Sequence, residues 1–301
     1  MSAERPFIPA PSSSPTDWLV ERLTDFGLYV LSVVPSGFEA YARVFHPAEK
    51  VTCTSDAAQD SISKPLNWAG VAELTGRTPH RLMQWPSIQG AHSALNDYTE
   101  LRAGDVYIEA PEEGSLPLEL AQTLWPIFEQ HTKTPDACFF AIWEGFGGFP
   151  KYVHEAPTFE IPERRFYLFR DSIQTVEHSF YARAEPDTME TVFMAFSDEE
   201  AALPPAKLRE QIQASLDALN ALPPRYQSAN LWWPDDRAWC IHTEIDFNTT
   251  YLAGSQRLVD ALLSSKKLEV YQVEPTDKIA YDSDTLNPLP ADPYGGSFKL
   301  E

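Results

Sequence analysis

Positive charge is scarce in this 301-residue chain: 23 Lys and Arg stand against 44 Asp and Glu, a formal net charge of −21. The pI is about 4.6. Such a surface repels phosphate backbones and anionic lipid heads, which argues against nucleic-acid and membrane-surface binding. It serves solubility, or it attracts a basic protein partner. Cysteine is nearly missing too. Cys53, Cys138 and Cys240 are odd in number and lack CxxC spacing, which fits reduced thiols better than a disulfide framework or a zinc knuckle. No apolar run approaches the ~18 residues a membrane span needs. The stretch MSAERPFIPAPSSSPTDW has neither the cationic start nor the apolar segment of a signal peptide. These absences make the cytoplasm the expected location. GxSxG, HExxH, Walker A and Rossmann glycine patterns are also missing.

What is present is ordinary globular composition, 43% hydrophobic and 12% aromatic, in a chain long enough for one large domain or two packed halves. Residues 1–15, rich in Pro and Ser, are expected to be a flexible leader, and the Pro-rich residues 276–301 an extended tail. Between them, residues 16–275 are expected to form one α+β domain, with a boundary near 185–205 if it divides. The runs 28–34 and 38–45 suggest a hairpin, residues 48–66 a long loop, and CFFAIW and RRFYLFR buried strands. Helices are expected over 17–26, 68–74, 80–85, 116–131, 171–181, 204–222 and after Ser255, with further strands over 105–109, 191–196 and 268–273. Together these predict a mixed, largely antiparallel sheet with peripheral helices. A faint echo links Pro135-Asp136, Cys138 and Glu144 to Pro234-Asp235, Cys240 and Glu244.

The richest stretch is LWWPDDRAWCIHTEIDFNTTY, residues 231–251. If Ala238 to Phe247 is a strand, alternation puts Trp239, Ile241, Thr243, Ile245 and Phe247 on one face and Cys240, His242, Glu244 and Asp246 on the other. His242 and Glu244 would then converge on one proton-transfer centre or one divalent metal ion, as in facial two-His-one-carboxylate sites. The competing reading is the polar face of a half-buried strand. Glu144, directly after FFAIW, is a candidate general acid if burial raises its pKa, or else an arginine's partner. Trp232 and Trp233 suggest a groove for a sugar, a peptide or a cation, set against plain packing. Arg164, Arg165 and Arg170 suggest an anion clamp, or ion pairs with the many carboxylates.

The stretches TPDACFFAIWEGFG and LWWPDDRAWCIHTEIDFNTTYLAGS, with PSGFEAYARVFHP and WAGVAELTGRT, resemble an uncharacterised family of bacterial proteins common in high-GC actinobacteria. The resemblance implies a bacterial cytosolic protein and transfers no catalytic residue. The acidic surface and the missing catalytic motifs make the expected function that of a non-catalytic interaction or regulatory protein, of inhibitor or immunity type. The alternative is a metal-dependent or acid/base enzyme using His242, Glu244, Asp246 and Glu144.

Overall fold

The computed structural model describes residues 7–24, 29–53, 61–90, 101–103, 106–181, 207 and 226–287. Within them lie five α-helices and twelve strands. The strands are β1 (Ala40–Phe45), β2 (Ala48–Cys53), β3 (Ser61–Leu66), β4 (Leu101–Ala103), β5 (Val106–Glu109), β6 (Cys138–Trp143), β7 (Thr158–Ile161), β8 (Arg164–Asp171), β9 (Leu231–Pro234), β10 (Cys240–His242), β11 (Thr249–Gly254) and β12 (Val270–Val273). The helices are α1 (Asp17–Arg22), α2 (Trp68–Thr75), α3 (Trp85–Gln89), α4 (Leu118–Glu129) and α5 (Gln256–Leu263). This is an α+β fold with peripheral helices. One sheet has the order β12-β1-β11-β10-β9-β6-β8-β7 and a smaller one β3-β2-β5-β4. Every neighbouring pair among the described residues is antiparallel.

The central strands read as unbroken apolar runs because both faces of the large sheet are covered. On β6, Phe140 and Ile142 join one core with α4 and α5 residues such as Leu124, Phe128, Leu258 and Leu262. Phe139 and Ala141 join the opposite core with Trp18, Leu19, Phe166 and Trp233. A further cluster around Val30, Val34 and Tyr251 continues that second face. Trp68, Trp85 and Ile108 form a third core against the small sheet. In α4, Leu120, Leu124 and Phe128 are buried on one stripe, and the helix continues through Pro126. Pro126 forfeits one backbone bond there, and burial of the stripe outweighs it. Strands β11 and β12 both pair with β1, so they run parallel to each other with β1 between them. The connection from β11 through α5 to β12 is therefore a crossover that passes over β1. None of the described helices is long and apolar enough to cross a membrane.

Several expectations need correction. Residues 48–66 contain the β2/β3 pair rather than a loop. No 28–34/38–45 hairpin forms, because Val30–Ser32 is a 3-10 turn and β1 pairs with β11 and β12 instead. The chain is already ordered before residue 15. Phe7 is buried, Pro9 bridges Phe169, and backbone bonds Ala10 N→Leu168 O (3.0 Å) and Arg170 N→Ile8 O (2.8 Å) carry on the edge of β8 where β7 stops. The tail is likewise pinned up to Asn287, whose side chain exchanges hydrogen bonds with the backbone of Thr78 (2.8 Å each). His80–Gln84 is loop, and β8 runs to Asp171 with only a 3-10 turn, Ile173–Glu177, beyond it. The expected strand over 191–196, the helix over 204–222 and the boundary near 185–205 lie outside the described residues.

Candidate functional site

The antiparallel register gathers most of the predicted residues at one end of the large sheet. Trp143 faces Phe166, Ala141 faces Leu231, and Leu231 faces His242. The end of β6, the starts of β8 and β9 and the end of β10 therefore lie side by side. Buried Asn230 ties them together: its Oδ1 accepts from Trp143 N (3.0 Å), and its Nδ2 donates to Thr243 O (2.9 Å) and Gly114 O (3.2 Å). Gly114 has φ +73°, and a Cβ there would sit 2.5 Å from Ile245 O, so that close approach requires glycine.

The long strand over 238–247 does not exist. Strand pairing stops at His242, and the chain reverses through a turn closed by Phe247 N→Glu244 O (3.1 Å). Alternation therefore holds for Trp239 to His242 and fails beyond, so His242 and Glu244 do not converge on one centre by sharing a strand face. His242 is buried against Phe166. Its Nδ1 donates to Val33 O (2.7 Å), which leaves Nε2 as a buried lone pair without a partner. Burial lowers its pKa to about 4, the Val33 carbonyl works against the shift, and the charge of Arg164 adds to it. At neutral pH this imidazole carries no proton it can give up.

Glu244 and Asp246 share one cation. Arg164 Nε lies 3.2 Å from Glu244 Oε1, Arg164 Nη2 lies 2.9 Å from Asp246 Oδ2, and the guanidinium is 5.8 Å from the centre of the Trp143 ring. Burial raises the pKa of Glu244 above the usual carboxylate range, although the Asp246 backbone N–H and Arg164 favour its charged form. Replacing Arg164 with Gln strands this carboxylate. The variant should lose about 1–3 kcal/mol in urea unfolding at neutral pH, and less in acid, where Glu244 is protonated. A loss that stays the same across pH would show that Glu244 is not the group affected.

Glu144 sits 3.5 Å from Arg165 and is half-buried, rather than enclosed in an apolar pocket. Arg170 lies 4.0 Å from Asp235, so all three arginines of the expected anion clamp face carboxylates. Trp232 and Trp233 lie in opposite cores and line no common groove. Trp232 packs on Phe128 and Trp239 in one core, and Trp233 stacks on Phe139 in the other. Both are buried, which makes them packing residues. Burial raises the pKa of both described thiols, Cys138 to about 12, which leaves them inert as nucleophiles. Among the described residues no group of three or more His, Cys, Asp or Glu side chains is placed to hold a metal ion.

Two features escaped sequence reasoning. The first is a buried polar chain. His46 Nδ1 donates to Glu112 O (2.7 Å), so Nε2 accepts from Thr250 Oγ1 (2.8 Å), and Thr250 in turn accepts from Thr243 Oγ1 (2.6 Å). The second is a groove of about 700 Å3 beside the small sheet, walled by Phe45, Leu66, Leu120 and Leu268. Its volume is typical of ligand sites. Its charged lining is Glu49, Glu112, Glu119, Glu269, Lys266 and Lys267, a surplus of carboxylates. Glu269 accepts from the first N–H groups of α2, at Trp68 (2.6 Å) and Ala69 (2.8 Å), which fixes that helix against the groove. These residues come from five separate stretches, and their only shared signal in the sequence is the excess of acid. Comparison with family models, curated proteins and solved structures gave no match.

Proposed function

We propose that this chain is a non-catalytic binding protein for a basic partner, of inhibitor or regulatory type. The supporting observation is the groove of about 700 Å3, whose apolar walls and surplus carboxylates match an extended segment carrying Lys or Arg. The net charge of −21 adds long-range attraction for the same partner. Membership of the uncharacterised actinobacterial family and a bacterial, cytoplasmic setting belong to the same proposal and rest on the motifs.

Affinity capture with the wild type and with Glu49→Gln/Glu119→Gln tests it. The expected result is a basic protein retained at low salt, released at high salt, and retained several-fold less by the double variant. Capture of nothing, or of a partner indifferent to salt, would overturn the reading.

The bare Nε2 of His242 beside the Arg164–Glu244–Asp246 cluster favours a second reading, a metal-dependent or acid/base enzyme. That reading expects divalent ions to raise the melting temperature of the wild type but not of His242→Ala. Protein that gains no stability from any divalent ion would sink its metal version.

A further inference from the structure

Residues 277–287 lie along the loop 77–84, about two hundred positions earlier in the chain, and side chains join the two. The fork of Arg81 grips the Asp277 carboxylate, Nε to Oδ2 at 2.7 Å and Nη2 to Oδ1 at 3.0 Å. The Asp284 side chain is closed to solvent. His80 Nε2 donates to its Oδ1 (2.8 Å) and Gln84 N to its Oδ2 (3.4 Å). Ser283 Oγ accepts from Gln84 Nε2 (2.8 Å) and donates to Leu82 O (3.1 Å). The Asn287 amide completes the row by pairing with both backbone groups of Thr78, as a neighbouring strand would.

The two sides of this contact are unequal. The loop is held from beneath by Arg43, whose Nη1 donates to Met83 O (2.9 Å) and Arg81 O (3.3 Å), and Met83 roots it in the third core. The later segment has no such root beyond Ile279. From Ala280 to Asn287 no large apolar side chain is buried, and Tyr281 and Leu286 are 50% and 59% exposed. Ordering a residue costs ~1–2 kcal/mol of backbone entropy. With little apolar burial to offset that cost, the segment depends on its polar anchors, and segments of this kind open well below the cost of global unfolding. A preformed loop thus faces a segment that two carboxylates and an amide hold on it, the relation of a peptide site to its ligand.

The anchors define the chemistry of that ligand. The Arg81 fork favours a planar carboxylate. His80 keeps Nδ1 as an acceptor for Leu82 N (3.3 Å), so Nε2 carries the proton and requires an acceptor. Asp284 also attracts buried Arg43 through space, so a segment that leaves is best replaced by one with a carboxylate at the same place. The net charge of −21 repels such a segment at a distance. Charges beyond ~8 Å are largely screened at physiological salt, which leaves the local cations to govern the contact.

We propose that the 77–84 loop is a recognition site for an acidic peptide of the pattern Asp-x6-Asp-x2-Asn, that residues 277–287 fill it in cis, and that a segment of the same chemistry on another chain displaces them. The site shares no lining residue with the groove and does not depend on it.

The test uses the full chain and a labelled synthetic peptide, TDKIAYDSDTLN, the sequence of residues 276–287. The cis segment competes at an effective concentration on the order of mM, so the wild type should bind the peptide weakly. Asp284→Asn loosens the cis segment and should bind the peptide about tenfold more tightly. Adding Arg81→Gln should abolish that gain, and a peptide with both Asp277→Asn and Asp284→Asn should bind neither protein. Asn287→Ala is the milder variant; it should gain several-fold and serves if Asp284→Asn does not fold. Hydrogen exchange in the wild type is an independent check: the N–H groups of Thr78 and Gln84, which donate to the segment, should exchange through an opening that leaves the amides of β1 protected. The proposal is overturned if neither variant binds the peptide more tightly than the wild type does, if the gain survives Arg81→Gln, if the doubly substituted peptide binds as well, or if Thr78 and Gln84 exchange only together with β1.

Discussion

Acidification from pH 7 to pH 4 should remove on the order of 6 kcal/mol of folding free energy through two histidines, about 3 kcal/mol from each. His46 and His242 are fully enclosed, and burial holds both at about 4 against an ordinary value of 6.5. The unfolded chain therefore binds these two protons first. Their contribution is complete above pH 6.5, declines through the window between 6.5 and 4, and is gone below it. Arg164 adds to the shift at His242 and Arg43 to that at His46.

Protonation is disruptive for different reasons at the two sites. At His46 it turns Nε2 into a donor, so the Thr250 hydroxyl can no longer donate to it and the direction of the Thr243–Thr250 chain must reverse. At His242 it places a second N–H where no acceptor exists. Glu244 and Glu269, whose carboxyls burial raises, act in the opposite sense and soften the lower end of the window. Urea unfolding from pH 7.5 to pH 4 provides the measurement. His242→Gln should flatten the slope by one proton's worth, and an unchanged slope would falsify the assignment to His242.

Phe7→Ala should cost about 3–5 kcal/mol, the range for emptying a buried aromatic site. The ring of Phe7 stacks on Phe180 with centroids 3.9 Å apart, and meets Phe140 and Phe169 edge-on at 5.7 and 5.9 Å. Truncation would leave a void shared by strands β6 and β8 and the segment at Phe180. The neighbouring Ile8 is 60% exposed, and Ile8→Ala should change stability by less than ~0.5 kcal/mol. Equal effects of the two substitutions in chemical unfolding would show that this segment is not anchored through Phe7. Pro9 fits the arrangement without loss. It stands opposite Phe169 in a pair whose backbone bonds are made by Ile8 and Ala10, so the missing N–H of proline is not called upon.

The parts of the fold legible in the sequence are those where local pattern and burial agree. CFFAIW and RRFYLFR form β6 and β8, neighbouring interior strands of the large sheet, and Ser255 caps α5 as its position suggests, its side chain accepting from Leu258 N (3.2 Å). β2 and β3 escaped notice because AEKVTC and SISKPL lie in the small sheet, where much of the surface faces solvent and little apolar alternation is required. Residues 7–10 and 276–287 look loose because, with their neighbours, they belong to the Pro- and Ser-rich stretch 1–15 and the Pro-containing stretch 276–301. Their order comes from partners at least 150 positions away along the chain, such as Phe169 for Pro9 and Thr78 for Asn287, and local composition carries no trace of such partners. The polar face drawn from Cys240 to Asp246 was half right. Cys240 and His242 do share a side, but that side is a second core. A strand covered on both faces and one washed on one face look alike when the covered polar group is a histidine. Arg164 was named only as a clamp residue. Its position between Glu244 and Asp246 depends on the turn after His242, which alternation could not foresee.

The place of β1 between β11 and β12 also bears on how the molecule is made. β1 precedes every other described strand, and both of its neighbours lie about two hundred residues further along. Until residue 254 has been synthesised β1 is a strand with two open edges, and until residue 273 it keeps one. Pairings of such sequence separation fold slowly, and unpaired edges recruit other chains. Nascent chains halted before β12 should therefore be the aggregation-prone species, and assembly of the large sheet should be a late event in folding.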